Sequence, residues 1–305
     1  MRNPLEPLLA TRSAVLLDGA MATELERRGA DLSSHLWSAR LLLDAPEAIA
    51  AVQRDYLEAG ADVVCSATYQ ASRQGFAKVG LSAEAADGLM ARAVAATREV
   101  CRGSALVAAS LGPYGAVLAD GSEYTGDYPL GEEALADFHR PRVAAVLSGR
   151  PDLVLFETIP SEVEARAILR LCAEWPSAPF LVTFSTRDGA HLAHGERFAD
   201  VARLVAEAEN VVAVGVNCLP PTRAVALLER ARSVPKPLAV APNSGETWDA
   251  SARRWTGRPV GDFGALVSSY LDAGARLVGG CCRTTPADIA AARRVIAARR
   301  PRSPG

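Results

Sequence analysis

The sequence has almost no net charge and few aromatic residues. Its 33 lysines and arginines nearly balance 35 aspartates and glutamates, so the 305-residue chain carries a formal net charge of −2, and aromatics make up 6% of it. A protein without a strong positive field does not attract nucleic acid or an anionic membrane surface. The charge balance argues against nucleic-acid and membrane partners and favours small molecules.

Targeting signals are also missing. No apolar run approaches the roughly 18 residues of a membrane span. The N-terminus lacks the basic region, the apolar stretch and the small-residue cleavage site of a secretory signal. These absences predict a cytoplasmic protein. Clustered cysteines in such a protein indicate metal binding or catalysis more often than disulfide bonds.

Short apolar runs alternate with amphipathic segments along the whole chain, which is the pattern of βα units. The predicted strands are 13–18, 61–66, 104–110, 152–156, 179–184, 211–216, 237–241 and 275–278. The predicted helices are 45–59, 83–101, 131–148, 161–174, 196–209, 221–233, 260–273 and 286–299. Eight such units predict an α/β fold, a closed (β/α)8 TIM barrel.

The alternative architecture is an open, doubly wound sheet. No Gly-x-Gly-x-x-Gly or Walker-type loop follows any predicted strand, which disfavours it. No linker divides the chain, so we predict a single domain over 1–305 with its core at about 13–299. The stretches 111–130 and 242–259 have no periodic pattern and are predicted to be loops.

Three of the six cysteines fall at the carboxyl ends of predicted strands, where barrel enzymes build their active sites. Cys218 ends the sixth strand, and Cys281 and Cys282 follow the eighth after two glycines that permit unusual backbone angles. Three thiolates without an obvious fourth ligand are typical of a zinc site with one open position. The alternatives are a vicinal disulfide and three buried thiols that act as small apolar residues.

A zinc ion with three thiolate ligands is a weak Lewis acid with electron-rich bonds. Such a centre suits a thiol substrate, which the metal holds deprotonated while it stays nucleophilic. This chemistry fits the transfer of an alkyl group to sulfur. Hydrolytic zinc sites more often use histidine and carboxylate ligands, and the sequence contains no His-Glu-x-x-His.

Two acidic residues also close predicted strands. Asp18 follows the first strand and Glu157 follows the fourth. A carboxylate in this position can face a bound cation such as an amino group, or it can cap a helix or bond to a loop. Both interpretations stay open from the residues alone.

The remaining cysteines and two histidines have simpler interpretations. Cys101 and Cys172 lie at or near helix ends and are predicted to pack as small buried residues, whereas the role of Cys65, one position before a site loop, stays open. His191 and His194 lie in the loop after the fifth strand. We predict that this pair is solvated and does not bind metal.

The motifs of the predicted loops resemble those of the homocysteine S-methyltransferase family over residues 13–299. The matching segments are Asp18-Gly19-Ala20-Met21-Ala22-Thr23-Glu24-Leu25, Gly112-Pro113-Tyr114-Gly115, Ala119-Asp120-Gly121-Ser122-Glu123-Tyr124, Glu157-Thr158-Ile159-Pro160, Val216-Asn217-Cys218, Pro242-Asn243-Ser244-Gly245-Glu246 and Gly279-Gly280-Cys281-Cys282-Arg283. The chain departs from the family at Ala20 and Ala22, where relatives often have glycine, and at Ser66-Ala67-Thr68, where they often have Thr-Asn-Thr.

The resemblance implies a zinc-containing barrel that methylates L-homocysteine to methionine. In this family pattern the zinc ligands would be Cys218, Cys281 and Cys282, and the homocysteine sulfur would take the fourth place. The resemblance also implies that Asp18 and Glu157 hold the substrate amino group, with Ser66 and Thr68 near the substrate. It implies no catalytic residue beyond the metal site.

The resemblance also narrows the choice of methyl donor. Cobalamin- and folate-dependent relatives carry additional domains, and betaine-using relatives carry a C-terminal extension, for which 305 residues leave no room. The chain is similar to the short group that uses S-methylmethionine and also S-adenosylmethionine. Two alternatives stay open: a methyltransferase acting on selenocysteine or another small thiol, and a zinc- or redox-responsive protein without enzymatic activity.

Overall fold

The structure is a computed structural model that describes residues 3–32, 38–249 and 254–301. Its strands in chain order are Val15–Leu16 (β1), Val63–Cys65 (β2), Leu106–Leu111 (β3), Leu153–Ile159 (β4), Phe180–Phe184 (β5), Val211–Asn217 (β6), Leu238–Ala241 (β7), Thr247–Asp249 (β8), Arg254–Thr256 (β9) and Ala275–Val278 (β10). All strands except β8 and β9 belong to one parallel sheet. The predicted strands all correspond to strands of this sheet.

The sheet closes into a barrel. Its strands follow the order β1-β10-β7-β6-β5-β4-β3-β2. A parallel bridge between Leu17 and Val63 joins the two ends of that order. Backbone hydrogen bonds support this closure, from Asp18 N to Val63 O at 3.0 Å and from Asp62 N to Leu16 O at 2.7 Å. The predicted (β/α)8 barrel is therefore confirmed.

Helices surround the sheet. They are Glu6–Thr11 (α1), Met21–Arg27 (α2), Ser38–Asp44 (α3), Pro46–Glu58 (α4), Arg73–Ala77 (α5), Ala83–Cys101 (α6), Tyr114–Leu118 (α7), Glu132–Ser148 (α8), Glu162–Glu174 (α9), Phe198–Ala206 (α10), Pro221–Arg230 (α11), Phe263–Ala273 (α12) and Pro286–Ala298 (α13), with a 3-10 turn at Ser122–Tyr124. Each predicted helical segment contains one of the longer helices. Short amphipathic patterns suffice here because these helices bury one face against the sheet.

The two predicted loops contain more structure than expected. The stretch 111–130 holds α7 and the 3-10 turn. The stretch 242–259 holds β8 and β9, which pair as an antiparallel hairpin. Elements of three to five residues are too short to show a periodic pattern in sequence, which explains both errors.

The core has two layers, one inside the barrel and one between the strands and the helices. Small and branched side chains such as Val15, Ala108, Ala213 and Leu277 fill the interior, and Leu5, the N-cap residue of α1, belongs to the same cluster. Helix α1 therefore covers the amino-terminal end of the barrel. Because the strands are buried on both faces, they are continuous apolar runs, as in β6, where every residue is buried.

The strands end on the side opposite α1, so the loops that follow them build the open face of the barrel. In the described part of the chain, no helix has both the length and the apolar character that crossing a bilayer requires. One domain over residues 1–305 stays a prediction.

Candidate functional site

Three cysteines meet above the carboxyl end of the barrel. The sulfur atoms of Cys218, Cys281 and Cys282 all lie within 4.8 Å of one another. Among the described residues, this is the only group of three or more cysteine, histidine or acidic side chains that could hold a metal ion. The structure thus brings together the three residues that the sequence analysis singled out.

Strand β7 aligns the two chain segments that carry these cysteines, because it lies between β6 and β10 in the sheet. The Cys218 N–H donates to the carbonyl of Ala241 at 3.0 Å, and the Cys281 N–H donates to the carbonyl of Pro242 at 2.7 Å. Cys218 has a positive φ of 50°, a conformation that non-glycine residues rarely adopt. These contacts turn both segments toward one point.

The two glycines before Cys281 allow β10 to end tightly against β1. A Cβ atom at Gly279 would lie 2.6 Å from Leu17 Cβ and 2.9 Å from the Asp18 carbonyl oxygen. A side chain at Gly280 would collide with Thr284. The Gly280 N–H donates to the Asp18 carbonyl at 3.0 Å. This close approach places the cysteine pair next to Asp18.

Two of the three cysteines are oxidised in the structure. A disulfide joins Cys218 and Cys281, whose Cα atoms are 5.4 Å apart, and Cys282 is a free thiol. This pairing differs from the vicinal Cys281–Cys282 disulfide that the sequence left open as an alternative. Neighbouring Cα atoms are only about 3.8 Å apart across a trans peptide, whereas disulfides usually span about 4.4–6.8 Å.

The same three sulfurs fit a metal ion once that bond is reduced. A zinc ion binds thiolates at about 2.3 Å, so sulfurs less than 4.8 Å apart need only small movements to reach one ion. A set of three thiolates selects soft or borderline metals such as zinc. The oxidised and the metal-holding arrangements exclude each other, because metal ligation requires the thiolates.

Asp18 lies at the end of β1, beside the cysteines, and is only 6% exposed. Its Oδ2 accepts the Cys65 N–H at 2.7 Å. Burial raises the pKa of Asp18 to about 6, although hydrogen bonds from Cys65 oppose that rise. The Cys65 thiol lies against the same carboxylate, and burial and this charge raise its pKa well above the usual range. Cys65 therefore lines the site.

Glu157 projects from β4 toward the same recess. The Ser110 hydroxyl donates to Glu157 Oε1, and the Asn217 side-chain amide donates to Oε2 at 3.3 Å. Burial raises the pKa of Glu157 to about 7, the Ser110 hydrogen bond lowers it, and the charge of Asp18 raises it. Among the described residues, neither Asp18 nor Glu157 pairs with an arginine, lysine or histidine, so both carboxylates are available to a cationic ligand.

Ser66 and Thr68 lie close to this pair but are buried, at 3% and 0% exposed. The Thr68 hydroxyl donates to the Ser110 carbonyl at 2.7 Å. The hydroxyl oxygens of Ser66 and Thr68 lie 2.7 Å apart. Thr68 thereby supports the residue that bonds to Glu157. Direct contact of Ser66 or Thr68 with a substrate stays a prediction.

The sequence analysis assigned no role to three residues that shape the site: Ser110, Thr158 and Asn217. Thr158 has a positive φ of 65°, which is strained for a β-branched residue. It lies where the β4–β5 register shifts between Phe156 and Ile159. Asn217 directly precedes the predicted ligand Cys218 at a strand end, and this position in the sequence could have indicated that Asn217 belongs to the site.

The other cysteines and the loop histidines have structural partners. Cys101 and Cys172 are 1% and 2% exposed within the core, which confirms their predicted packing role. His191 Nδ1 lies 3.0 Å from Asp188 Oδ2, and His194 Nδ1 lies 2.9 Å from Glu196 Oε1. Neither histidine belongs to the cysteine group, and the absence of metal binding by this pair stays a prediction.

A (β/α)8 barrel with a thiol cluster and buried carboxylates at the carboxyl ends of its strands has the layout of a barrel enzyme. A family model described as homocysteine S-methyltransferase matches residues 15–296. The chain belongs to the homocysteine S-methyltransferase family. The resemblance found in the sequence and the prediction of a methyltransferase are confirmed.

Relatives match over nearly their whole length. A homocysteine S-methyltransferase of Escherichia coli (strain K12) is 45% identical, covering 95% of this chain and 97% of the relative. A selenocysteine Se-methyltransferase of Brassica oleracea var. italica is 42% identical, covering 97% and 92%. The crystal structure of the E. coli homocysteine methyltransferase MmuM in its metallated form has a TM-score of 0.87 at 42% identity, covering 96% and 99%. An oxidized form of MmuM matches equally well.

Proposed function

We propose that this enzyme transfers a methyl group from S-methylmethionine, or from S-adenosylmethionine, to the sulfur of L-homocysteine and so forms methionine. The observation that carries the proposal is the position of the three sulfurs beside two carboxylates, the buried Asp18 and the partly buried Glu157, that have no cationic partner among the described residues. Homocysteine offers a thiol and an amino group, which match these two features.

We assign zinc to Cys218, Cys281 and Cys282. The convergence of their sulfurs and the existence of a metallated form of MmuM support this assignment. When bound, zinc holds a thiol as its thiolate at neutral pH. The three cysteines carry three negative charges against the two positive charges of the ion, so the site stays electron-rich and keeps a fourth position for the substrate sulfur.

Asp18 and Glu157 are proposed to bind the substrate amino group. Burial disfavours their ionised forms, and a bound ammonium compensates for that cost. Ser110 and Asn217 orient the Glu157 carboxylate by hydrogen bonds. The two carboxylates thereby fix the amino end of homocysteine while its sulfur lies at the cysteines.

The transfer step needs no proton donor from the protein. The homocysteine thiolate attacks the methyl carbon in line, a new S–C bond forms, and the bond between that carbon and the sulfonium sulfur breaks. The electron pair of the broken bond stays on the donor sulfur, which becomes a neutral thioether. Both charges cancel, so the main requirement is alignment of the two substrates.

The proposal also includes a cytoplasmic location, because that compartment keeps thiols reduced and available to zinc. A second acceptor, selenocysteine, deserves a test because the Brassica oleracea var. italica relative is named a selenocysteine Se-methyltransferase. A selenol is chemically close to a thiol, and the residues described above do not discriminate between them.

The deciding experiment combines metal analysis with product analysis. Reduced wild-type protein is expected to bind about one zinc per chain and to form methionine from homocysteine with S-methylmethionine or S-adenosylmethionine. Selenocysteine replaces homocysteine in a parallel assay. A folded, zinc-loaded wild type that makes no methionine with either donor contradicts the proposed reaction.

Two alanine variants localise the site. Cys282→Ala is expected to lose zinc and nearly all activity. Cys172→Ala, a cysteine that is 2% exposed in the core, is the matched control and should keep both. Full zinc binding and activity in Cys282→Ala would contradict the metal assignment.

A further inference from the structure

One sequence motif has no part in the proposed function. The segment Ala119–Tyr124 lies between β3 and α8, and its last three residues form the 3-10 turn Ser122–Tyr124. This turn presents two unusual side chains at the open face of the barrel. Glu123 is buried and incompletely bonded, and Tyr124 is an exposed aromatic residue.

Glu123 is a buried acid without a counter-charge. It is 6% exposed, and its Oε2 has no hydrogen-bond partner in the structure. Within the described residues it forms no ion pair with an arginine, lysine or histidine. A buried carboxylate in this state costs folding free energy and favours a nearby cation. Burial raises the pKa of Glu123, and a cation bound beside this turn favours its ionised form.

Tyr124 lies next to this carboxylate and close to the thiol cluster. It is 46% exposed, the largest exposure among the large hydrophobic residues described. Its hydroxyl lies near enough to Cys282, Glu123 and Glu157 for their charges to act on it. Tyr124 is therefore open to a ligand that approaches the site residues.

The turn is held rigidly. The Ser185 hydroxyl donates to the Glu123 carbonyl at 3.0 Å and lies 3.3 Å from the carbonyl of Thr158, the residue after Glu157. A Cβ atom at Gly115 would collide with the backbone of Ser122 and Glu123, so only glycine permits this packing. The backbone of this turn is thus held beside the end of β4 before any ligand binds.

A sulfonium ion is a cation that carries no hydrogen-bond donor. Arginine and lysine repel it, whereas the face of an aromatic ring and nearby negative charge attract it. We propose that Tyr124 and the adjacent Glu123 carboxylate form the subsite that binds the sulfonium group of the methyl donor. This inference rests on the proposed function, since it concerns the second substrate of the same site.

The test compares two ligands that differ at one atom. S-methylmethionine has a sulfonium centre, and homoleucine (2-amino-5-methylhexanoate) has an uncharged CH in its place. Calorimetric titration of the zinc-loaded protein, without homocysteine, gives the ratio of their dissociation constants. The wild type is expected to bind the sulfonium compound at least about tenfold more tightly.

Variants then assign this preference to the two residues. Tyr124→Leu and Glu123→Gln are each expected to reduce the ratio severalfold, while Tyr124→Phe, which keeps the ring, retains it within about twofold. Glu133→Gln, an exposed acid on α8, is the charge control and should match the wild type. Thermal unfolding of each variant checks that it is folded.

The outcomes separate this inference from the proposed function. A wild-type ratio near one, or an unchanged ratio in both Tyr124→Leu and Glu123→Gln, overturns the sulfonium subsite even if the enzyme makes methionine. Absence of methionine formation by the wild type overturns the proposed reaction, and the binding ratios still decide the subsite. In turnover assays the variants should raise KM for the donor and leave KM for homocysteine within about twofold.

Discussion

Asn217 holds Thr158 by two hydrogen bonds: its Oδ1 accepts the Thr158 N–H at 2.8 Å, and its Nδ2 donates to the Thr158 hydroxyl at 2.8 Å. The same amide group reaches Glu157 Oε2 at 3.3 Å. The strained backbone of Thr158, at φ 65°, is thus stabilised by the residue that precedes Cys218. The bond network connects the carboxylate side of the site with the thiol side.

We expect Asn217→Ala to impair both stability and substrate binding. The buried Thr158 N–H loses its partner, which costs about 1–3 kcal/mol of unfolding free energy. Glu157 also loses a donor and its fixed position, so KM for homocysteine should rise about tenfold. Chemical denaturation and steady-state kinetics measure the two effects.

Asn210→Ala is the matched control. Asn210 is 6% exposed, lies just before the other end of β6, and donates to the carbonyls of Cys172 and Trp175. Asn210→Ala should lower the unfolding free energy about as much as Asn217→Ala does and leave KM for homocysteine unchanged. An equal change of KM in both variants would show that Asn217 acts only through general stability.

The binding of the amino group should depend on pH. The pKa is raised by burial to about 6 for Asp18 and to about 7 for Glu157. Both carboxyl groups are ionised above pH 7 and take up protons as the pH falls through these values. Affinity for the ammonium group should therefore be high at pH 8 and decrease by about tenfold or more by pH 5.5.

Methionine is the ligand for this measurement, because it has the amino group but no titrating thiol. Calorimetry over pH 5.5–8 gives the profile. Glu157→Gln should weaken binding at pH 8 and remove the step near pH 7. A flat wild-type profile would exclude these carboxylates as the cation site.

A buried arginine braces two of the site loops. Arg142 of α8 is fully buried and donates to the carbonyls of Tyr69, Ala71 and Gly112 at 2.7–2.8 Å. Arg142→Met leaves the carbonyls of Ala71 and Gly112 unpaired, whereas Tyr69 keeps the bond from the Gly112 N–H, and we expect a loss of about 3–5 kcal/mol in unfolding free energy. Denaturation with urea measures it.

Arg140 is the control on the same helix. It is 39% exposed in its side chain and pairs with Asp137 and Glu174. Exposed ion pairs contribute little, so Arg140→Met should cost less than about 1 kcal/mol. A similar loss of unfolding free energy in the two variants would show that the hydrogen bonds of Arg142 to the loop carbonyls do not add stability.

Zinc should protect the thiols from oxidation. In the structure Cys218 and Cys281 are paired and four cysteines are free, so the oxidised chain is expected to show four titratable thiols after unfolding and the reduced chain six. A mild oxidant should lower the number of titratable thiols in the metal-free protein from six to four. The zinc-loaded protein should keep six, because ligation occupies the thiolates. Loss of thiols at equal rates with and without zinc would contradict ligation by these cysteines.

The architecture follows from local sequence patterns. Barrel strands buried on both faces are continuous apolar runs, and the longer helices have amphipathic periods, so local patterns were enough to find every strand of the barrel. The same topology predicted that Cys218, Cys281 and Cys282 lie on one face, because parallel strands end at the same edge. The short elements α7, β8 and β9 were not predicted, because three to five residues are too few to show a helical or strand period.

Which side chains meet depends on the three-dimensional packing. The pairing of Cys218 with Cys281 and the hydrogen bonds between Asn217 and Thr158 each join segments distant in the chain, and the burial of the unpartnered Glu123 oxygen depends on the segments that pack around it. Strand neighbours, a shifted register and close backbone approaches set these distances, and no local pattern records them. The sequence determined where the chemistry collects, and packing determined how its groups are oriented and charged.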